Sequence, residues 1–332
     1  MGLDIDNLPK FEVDEARKAY GKALVELGEK NQNIVVMNCD LSGSCKTADF
    51  CAKFPERFFN MGIAEQNMMG VAAGLATTGK TVFASTFAMF ATGRVFDQIR
   101  QSIAYPRMNV KIVATHAGIT VGGDGASHQT NEDIALMRVI PNMSIIVPMD
   151  YNETYEVIHT IADLSGPFYV RMGRSKIPNI SKHLPGYSFE FGKSTMLVDG
   201  SDVTIIAMGL MVGKALEAAV ALKKEGISAR VVNMSTVKPI DEEAIVKHAR
   251  ETGAIVTAEE HNLLFGLGSA VAEVLTHRVK VPEENVGIPD VFGESGQPDE
   301  LMEKYGLTVN EIVKCCHRAI ERKDEDIPRK CK

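Results

Sequence analysis

Val110-Lys111-Ile112-Val113-Ala114-Thr115-His116-Ala117-Gly118 runs directly into Ile119-Thr120-Val121-Gly122-Gly123-Asp124-Gly125-Ala126-Ser127-His128-Gln129. The first half is almost continuously apolar and β-branched, with none of the alternation of a strand that has one wet face. It predicts a strand over Val110–Gly118 buried on both faces, as in a parallel sheet covered by helices. From Gly118 to Gly125 four glycines fall within eight residues, so the backbone there can approach a ligand closely. Working outward, the same signature recurs at Asn33–Asp40, Thr81–Thr86, Ser144–Asp150 and Phe168–Met172, then at Val203–Met208, Ala229–Met234 and Ile255–Glu259. Helix-period segments lie between these runs: Asp14–Glu29, Ala64–Thr77, Tyr151–Leu164, Gly213–Lys224 and Asp241–Thr252. Strand–helix alternation of this kind predicts an α/β fold with two doubly wound sheet domains. The stretch Gly173–Gly192 breaks the pattern with Pro, Gly, Ser and Lys. The expected division is a first domain over 1–180, a linker over 181–190 and a second domain over 191–332.

Composition narrows the class. The chain has 332 residues, 45% of them hydrophobic and 24% charged, enough apolar material for two cores. Lys and Arg number 36 against 43 Asp and Glu, a net charge of −7, which is not the electrostatic footprint of a nucleic-acid binder. No apolar run approaches the roughly 18 residues of a membrane span. The N-terminus, MGLDIDNLPKF, is acidic where a secretory signal would be basic, so the expected location is the cytoplasm. Gly2 opens a myristoylation pattern that Asp6 breaks, and the terminal Cys331-Lys332 makes no prenylation box. Cys39, Cys45 and Cys51 fit no zinc spacing, and Cys315-Cys316 sits on a helical pattern; all read as free thiols.

Three segments concentrate chemistry. Phe59-Asn60-Met61-Gly62-Ile63-Ala64-Glu65-Gln66-Asn67 places a turn-permitting glycine just before a helix, with Glu65 in its first turn. Taken singly, that glutamate is an acid complementing the helix dipole, worth about 0.3–1 kcal/mol. Gly70, Ala73 and Gly74 are expected to recur on one face of that helix, where such small residues would let another helix come close. Ser85-Thr86-Phe87-Ala88-Met89-Phe90 ends a strand and starts a helix, where ligands of open α/β sheets bind. Phe87 and Phe90 could hold a flat heterocycle or simply fill a core. The glycine-rich loop carries His116, Asp124 and His128, and two imidazoles with a carboxylate suit proton transfer and hydroxyl or phosphate binding.

Two glycine motifs lead nowhere. Gly123-Asp124-Gly125 matches the start of a metal–diphosphate motif, but the paired asparagines needed about 30 residues later are absent from Met149-Asp150-Tyr151-Asn152-Glu153, so no metal site is assigned. Gly266-Leu267-Gly268 lacks the third glycine of a dinucleotide fingerprint.

Together, GIAEQNMMGVAAGLA, STFAMF, ATHAGITVGGDGASHQ and RVIPNMSIIVPMD resemble the pyrimidine-binding domain of transketolase and its relative deoxyxylulose-phosphate synthase. DVTIIAMGLMVGKALEAA and ARVVNMSTVKPID resemble the family's C-terminal domain. The resemblance covers almost the whole chain, and it makes 1–180 the pyrimidine-binding domain and 191–332 the C-terminal-like domain. It lacks the family's diphosphate-binding domain, so it implies the C-terminal half of a split transketolase. A separate N-terminal subunit would hold the thiamine diphosphate tail through Mg²⁺, and the pyrimidine domain would self-associate.

The resemblance also implies residue roles. Glu65 matches the glutamate that shares a proton with N1′ of the cofactor's aminopyrimidine, and so activates the thiazolium carbon. Phe87 and Phe90 match the aromatics against which that ring packs; a further family aromatic is replaced by Gly93, with Phe96 a substitute. Asp40, in Asp40-Leu41-Ser42-Gly43-Ser44, matches a cofactor-pocket residue and Ser44 a phosphate contact. Arg17 and Arg174 match phosphate-binding arginines, with Arg171 competing for the second role. His116 matches a residue near the substrate phosphate, and His128 and Asp124 match residues on the sugar hydroxyls. The implied activity is transfer of a two-carbon ketol unit from a ketose phosphate to an aldose phosphate. The β subunit of a 2-oxo acid dehydrogenase and a synthase condensing pyruvate with glyceraldehyde phosphate share the fold. A non-catalytic assembly subunit is the alternative of another class.

Overall fold

The computed structural model describes residues 2–325; Cys331-Lys332 lies outside the described residues. Among the described residues one sheet has seven strands, in the order Thr236–Lys238, Ser144–Ile146, Phe168–Arg171, Val110–Ala114, Thr81–Ser85, Ile34–Asn38 and Phe58–Asn60. All neighbours are parallel except Thr236–Lys238, which runs antiparallel along Ser144–Ile146. A second sheet has five strands, in the order Glu283–Ile288, Ile255–Asn262, Val203–Ala207, Ala229–Asn233 and Thr195–Val198, the last antiparallel. Both sheets carry helices on their faces, as the strand–helix alternation requires.

The strand sequences explain the layers. Ile34–Asn38, Thr81–Ser85 and Val110–Ala114 are buried at every position. Successive side chains point to opposite faces. Ile34 and Val36 pack with Tyr20, Leu24, Val157 and Ile161 of helices Ala16–Lys30 and Tyr151–Asp163. Val35 and Met37 pack instead with Met68, Met69 and Ala72 of helix Glu65–Thr77. That second core continues without a break into Ile206, Val232, Met234, Val237 and Val271 of the C-terminal part.

Several expectations are corrected. The strand foreseen over Val110–Gly118 stops at Ala114, because His116 (φ +59°) and Gly118 (φ +78°) turn the chain. The strand foreseen over Ser144–Asp150 stops at Ile146, and Asp150 caps the next helix by accepting the Glu153 N–H at 2.8 Å. Gly70 and Gly74 face outward with nothing within 4 Å of an added Cβ, whereas Ala73 is buried in the core, so the three do not share a face. The proline-rich segment is no loose tether. Ile180, Leu184 and Phe189 are buried, and Ser181 donates from N and Oγ to Asp150 at 2.6 and 2.8 Å. Tyr187 donates to Glu153 at 2.5 Å, and Asn233 of the second sheet donates to the same carboxyl at 2.8 Å. Among the described residues Cys39, Cys45, Cys51, Cys315 and Cys316 are free.

Candidate active site

Parallel pairing puts the segments after Asn38, Ser85 and Ala114 side by side at the carboxyl edge of the first sheet. A bridge between Phe87 and Thr115 extends this pairing one step beyond the strands. Phe87 stacks on His116 with centroids 3.8 Å apart, and lies nearly parallel to Phe90 at 6.2 Å. His128 meets Phe90 edge-on at 5.4 Å. Two phenyl and two imidazole rings therefore form one cluster, built from phenylalanines that stand 26 to 41 positions before the histidines in sequence.

Glu65 opens helix Glu65–Thr77 after the turn at Gly62 (φ +67°) and is 3% exposed, not a solvated first-turn acid. Its Oε2 accepts from Arg94 Nη1 at 3.1 Å, and the Arg94 guanidinium lies 4.3 Å over the Phe90 ring. Glu65 thus joins the ring cluster through Arg94, which sequence reasoning did not single out. Phe96, the foreseen substitute for the missing aromatic, packs against the core instead. Asp40, exposed and left-handed (φ +61°), accepts from Asn60 Nδ2 at 3.2 Å. Asn60 Oδ1 in turn accepts from the N–H groups of Asp40 and Gly62, fixing Asp40 to the turn that precedes Glu65.

A cationic corner borders the rings. His116 is 4% exposed, and its Nδ1 lies 2.8 Å from Thr115 Oγ1. Burial, with the charges of Arg17, Arg174, His128 and Lys46, pushes its imidazole down to about 3, so it is neutral at pH 7. Arg17 donates to the Ser44 carbonyl at 3.0 Å and pairs with Glu15, while its buried Nε has no partner within the protein. Lys46, two residues past Ser44, was also not singled out from sequence. Arg174 is exposed and donates to the Val121 carbonyl at 2.8 Å. Arg171 is 3% exposed, paired with Asp133 at 2.8 Å and bonded to the Glu260 carbonyl at 2.7 Å, so it is spent inside the fold. Asp124 is exposed at the end of the turn Ile119–Asp124, and His128 is half-buried beside Ser127.

The set suits a flat ring with a basic nitrogen, which needs a sequestered carboxylate and stacked aromatic faces, next to an anion, which needs convergent cations. At Gly266-Leu267-Gly268 the Glu259 carboxylate accepts the Leu267 and Gly268 N–H groups at 2.7 and 2.9 Å, filling that helix start from within. Among the described residues no group of three or more His, Cys, Asp or Glu is arranged to hold a metal ion, and no helix is long and apolar enough to cross a membrane.

Sheet order, a carboxyl-edge cluster of rings and a buried glutamate define a doubly wound α/β domain with a candidate pocket for a flat ring. The family model for the transketolase pyrimidine-binding domain matches residues 15–179, and that for the transketolase C-terminal domain matches residues 192–312. The chain belongs to the transketolase family. It is 56% identical over 299 residues to a protein of Methanocaldococcus jannaschii described as a transketolase C-terminal section, covering 90% of this chain and 94% of that one. It is 42% identical to the 6-deoxy-6-sulfo-D-fructose transketolase subunit of Clostridium sp., covering 95% and 97%. A solved structure described as a split gene transketolase, inactive β4 tetramer, superimposes with a TM-score of 0.87 at 57% identity over 93% of this chain and 99% of that one. Transketolase from Leishmania mexicana superimposes with a TM-score of 0.80 at 26% identity, and this chain spans 48% of it. The chain is thus a transketolase-type subunit, and its pyrimidine domain points to thiamine diphosphate.

Proposed function

We propose that this chain is the catalytic C-terminal subunit of a cytoplasmic transketolase, moving a two-carbon ketol unit from a ketose phosphate to an aldose phosphate. A second polypeptide holds the cofactor's diphosphate through Mg²⁺. The observation that carries this reading is the Glu65 carboxylate, withdrawn from water and joined through Arg94 to the stacked Phe87 and Phe90. An assembly subunit would have no use for a sequestered acid joined through Arg94 to a cluster of phenyl and imidazole rings. The proposed division into 1–180, 181–190 and 191–332 is supported by family matches that fall either side of 181–190.

Bound there, thiamine diphosphate supplies the nucleophilic carbon and the electron sink for the transferred unit. Glu65 holds a proton against the ring nitrogen N1′, and Phe87 and Phe90 pack the ring. Asp40 lines the same pocket from the neighbouring strand end. Arg17, Arg174, Ser44 and His116 receive the substrate phosphate, where a neutral imidazole beside fixed cations donates a hydrogen bond without titrating near pH 7. His128 and Asp124 contact sugar hydroxyls, and His128 moves protons there. The outward face at Gly70 and Gly74, with Ile63 80% exposed, is the surface proposed for self-association. The cationic corner favours sugar phosphates over the lipoyl acceptor of a 2-oxo acid dehydrogenase.

The test combines the chain with thiamine diphosphate, Mg²⁺ and a subunit carrying the Gly-Asp-Gly…Asn-Asn pattern, then assays ketol transfer from xylulose 5-phosphate. Activity is expected only with both subunits, and a fall of about a hundredfold or more in Glu65→Gln. Turnover by this chain alone, or an undiminished Glu65→Gln complex, would refute the reading.

A further inference from the structure

The loop that carries His116, Asp124 and His128 belongs to the first sheet, yet much of what holds it comes from the second. Glu260 lies on the strand Ile255–Asn262 and is 3% exposed. Its Oε1 accepts the N–H of Thr120 at 2.8 Å, midway along the loop. The approach is so close that a Cβ on Gly118 would sit 2.3 Å from Glu260 Cδ and Oε1. The carbonyl of Glu260 accepts from Arg171 Nη2 at 2.7 Å. Arg171 Nε reaches Asp133 at 2.8 Å, which also accepts the Tyr169 hydroxyl at 2.6 Å. A second tie crosses at Gln129, whose Nε2 donates to the carbonyls of Ile119 and Gly122 at 3.2 Å and of Glu294 at 2.9 Å.

Burying a carboxyl group is costly, and an apolar side chain of like volume would fill the space with less penalty. Burial does push the Glu260 carboxyl upward, against the pull of Arg171 and the Thr120 N–H. What a carboxylate adds is a directed acceptor for one backbone N–H, on a glycine-rich segment that otherwise has many conformations to choose from.

We propose that Glu260 is a positioning residue of the sugar-phosphate site: by fixing Thr120 it sets the backbone that aims His116, Asp124 and His128. The C-terminal part thereby shapes a site whose reacting groups belong to the first sheet. The role assigned to those three side chains rests on the proposed function; the order imposed on the loop does not.

Two measurements separate these claims. Hydrogen exchange on the chain by itself reads the amides of 117–130. In Glu260→Ala they are expected to exchange about tenfold faster, with the strands Ile34–Asn38 and Val203–Ala207 unchanged. Glu260→Gln keeps an oxygen for Thr120 and is expected to restore protection. In the reconstituted complex, Glu260→Ala is expected to raise KM for the ketose phosphate about tenfold and to lower kcat as His128 loses its aim, with cofactor affinity changed less than about threefold, and Glu260→Gln to recover both. Should Glu260→Ala not fold, Gln129→Ala removes the second tie without stranding a charge and is expected to act in the same direction. Unchanged loop exchange, or a Gln variant as impaired as the Ala variant, overturns the inference. A loosened loop with unaltered KM overturns its catalytic half. A wild-type complex without ketol transfer sinks the proposed function, and with it the sugar-phosphate role, while the loop result stands.

Discussion

His116 joins three unusual circumstances in one residue: a left-handed backbone, near-complete burial and a ring of cations. Non-glycine residues pay about 1–3 kcal/mol for such a backbone, and histidine is among those that reach it with least strain. The buried ring also links stability to pH. Its ordinary value is 6.5 and the folded chain holds it near 3. Above pH 6.5 both states carry a neutral ring and the full stability is present. As pH falls below 6.5 the unfolded chain takes a proton that the folded chain refuses, so stability declines by up to about 1.4 kcal/mol per pH unit until about pH 3. His116→Asn, which tolerates the same backbone, is therefore expected to show a shallower loss of urea midpoint between pH 6.5 and 4 than the parent chain. Parallel pH profiles for the two would refute this.

Among the elements, the turn from Ala114 to Ile119 holds two left-handed residues, His116 and Gly118, within three positions. Gly118→Ala meets both a φ of +78° and the Glu260 carboxylate, and is expected to cost about 2–4 kcal/mol, read as a lowered urea midpoint with unchanged slope. Gly123→Ala, with nothing within 4 Å, serves as the mild control. Elements of this first sheet were legible because doubly covered strands write themselves as long β-branched runs. Phe58–Asn60 and Glu283–Ile288 escaped because they lie at sheet edges, where partial exposure admits polar residues. Thr236–Lys238 escaped for a different reason: its three residues gain their identity from pairing with Ser144–Ile146, some ninety positions away. The site divides in the same manner. Glu65, Phe87, Phe90 and the loop histidines could be read from local motifs. Arg94, Lys46 and Glu260 become visible only when distant segments meet, and no spacing rule announces such contacts.

Across the whole molecule, the two sheets are not independent bodies. The antiparallel strand Thr236–Lys238 crosses from the C-terminal part to finish the first sheet, and one apolar core runs through both. Glu153, in the first part, is bonded to Tyr187 of the segment 181–190 and Asn233 of the second sheet. Chemical unfolding is accordingly expected to be one cooperative step, with far-ultraviolet and near-ultraviolet dichroism superimposable. Two resolved transitions would show that the sheets melt separately. The crossing strand also orders events during synthesis. At about 5–20 residues per second, a ribosome that has delivered Arg171 needs several more seconds to release Lys238. Throughout that interval the nascent chain shows a naked strand margin at Ser144–Ile146, a template for unwanted pairing. Chaperone engagement timed to that window, ending as Lys238 clears the exit tunnel, is what this topology asks of the cell.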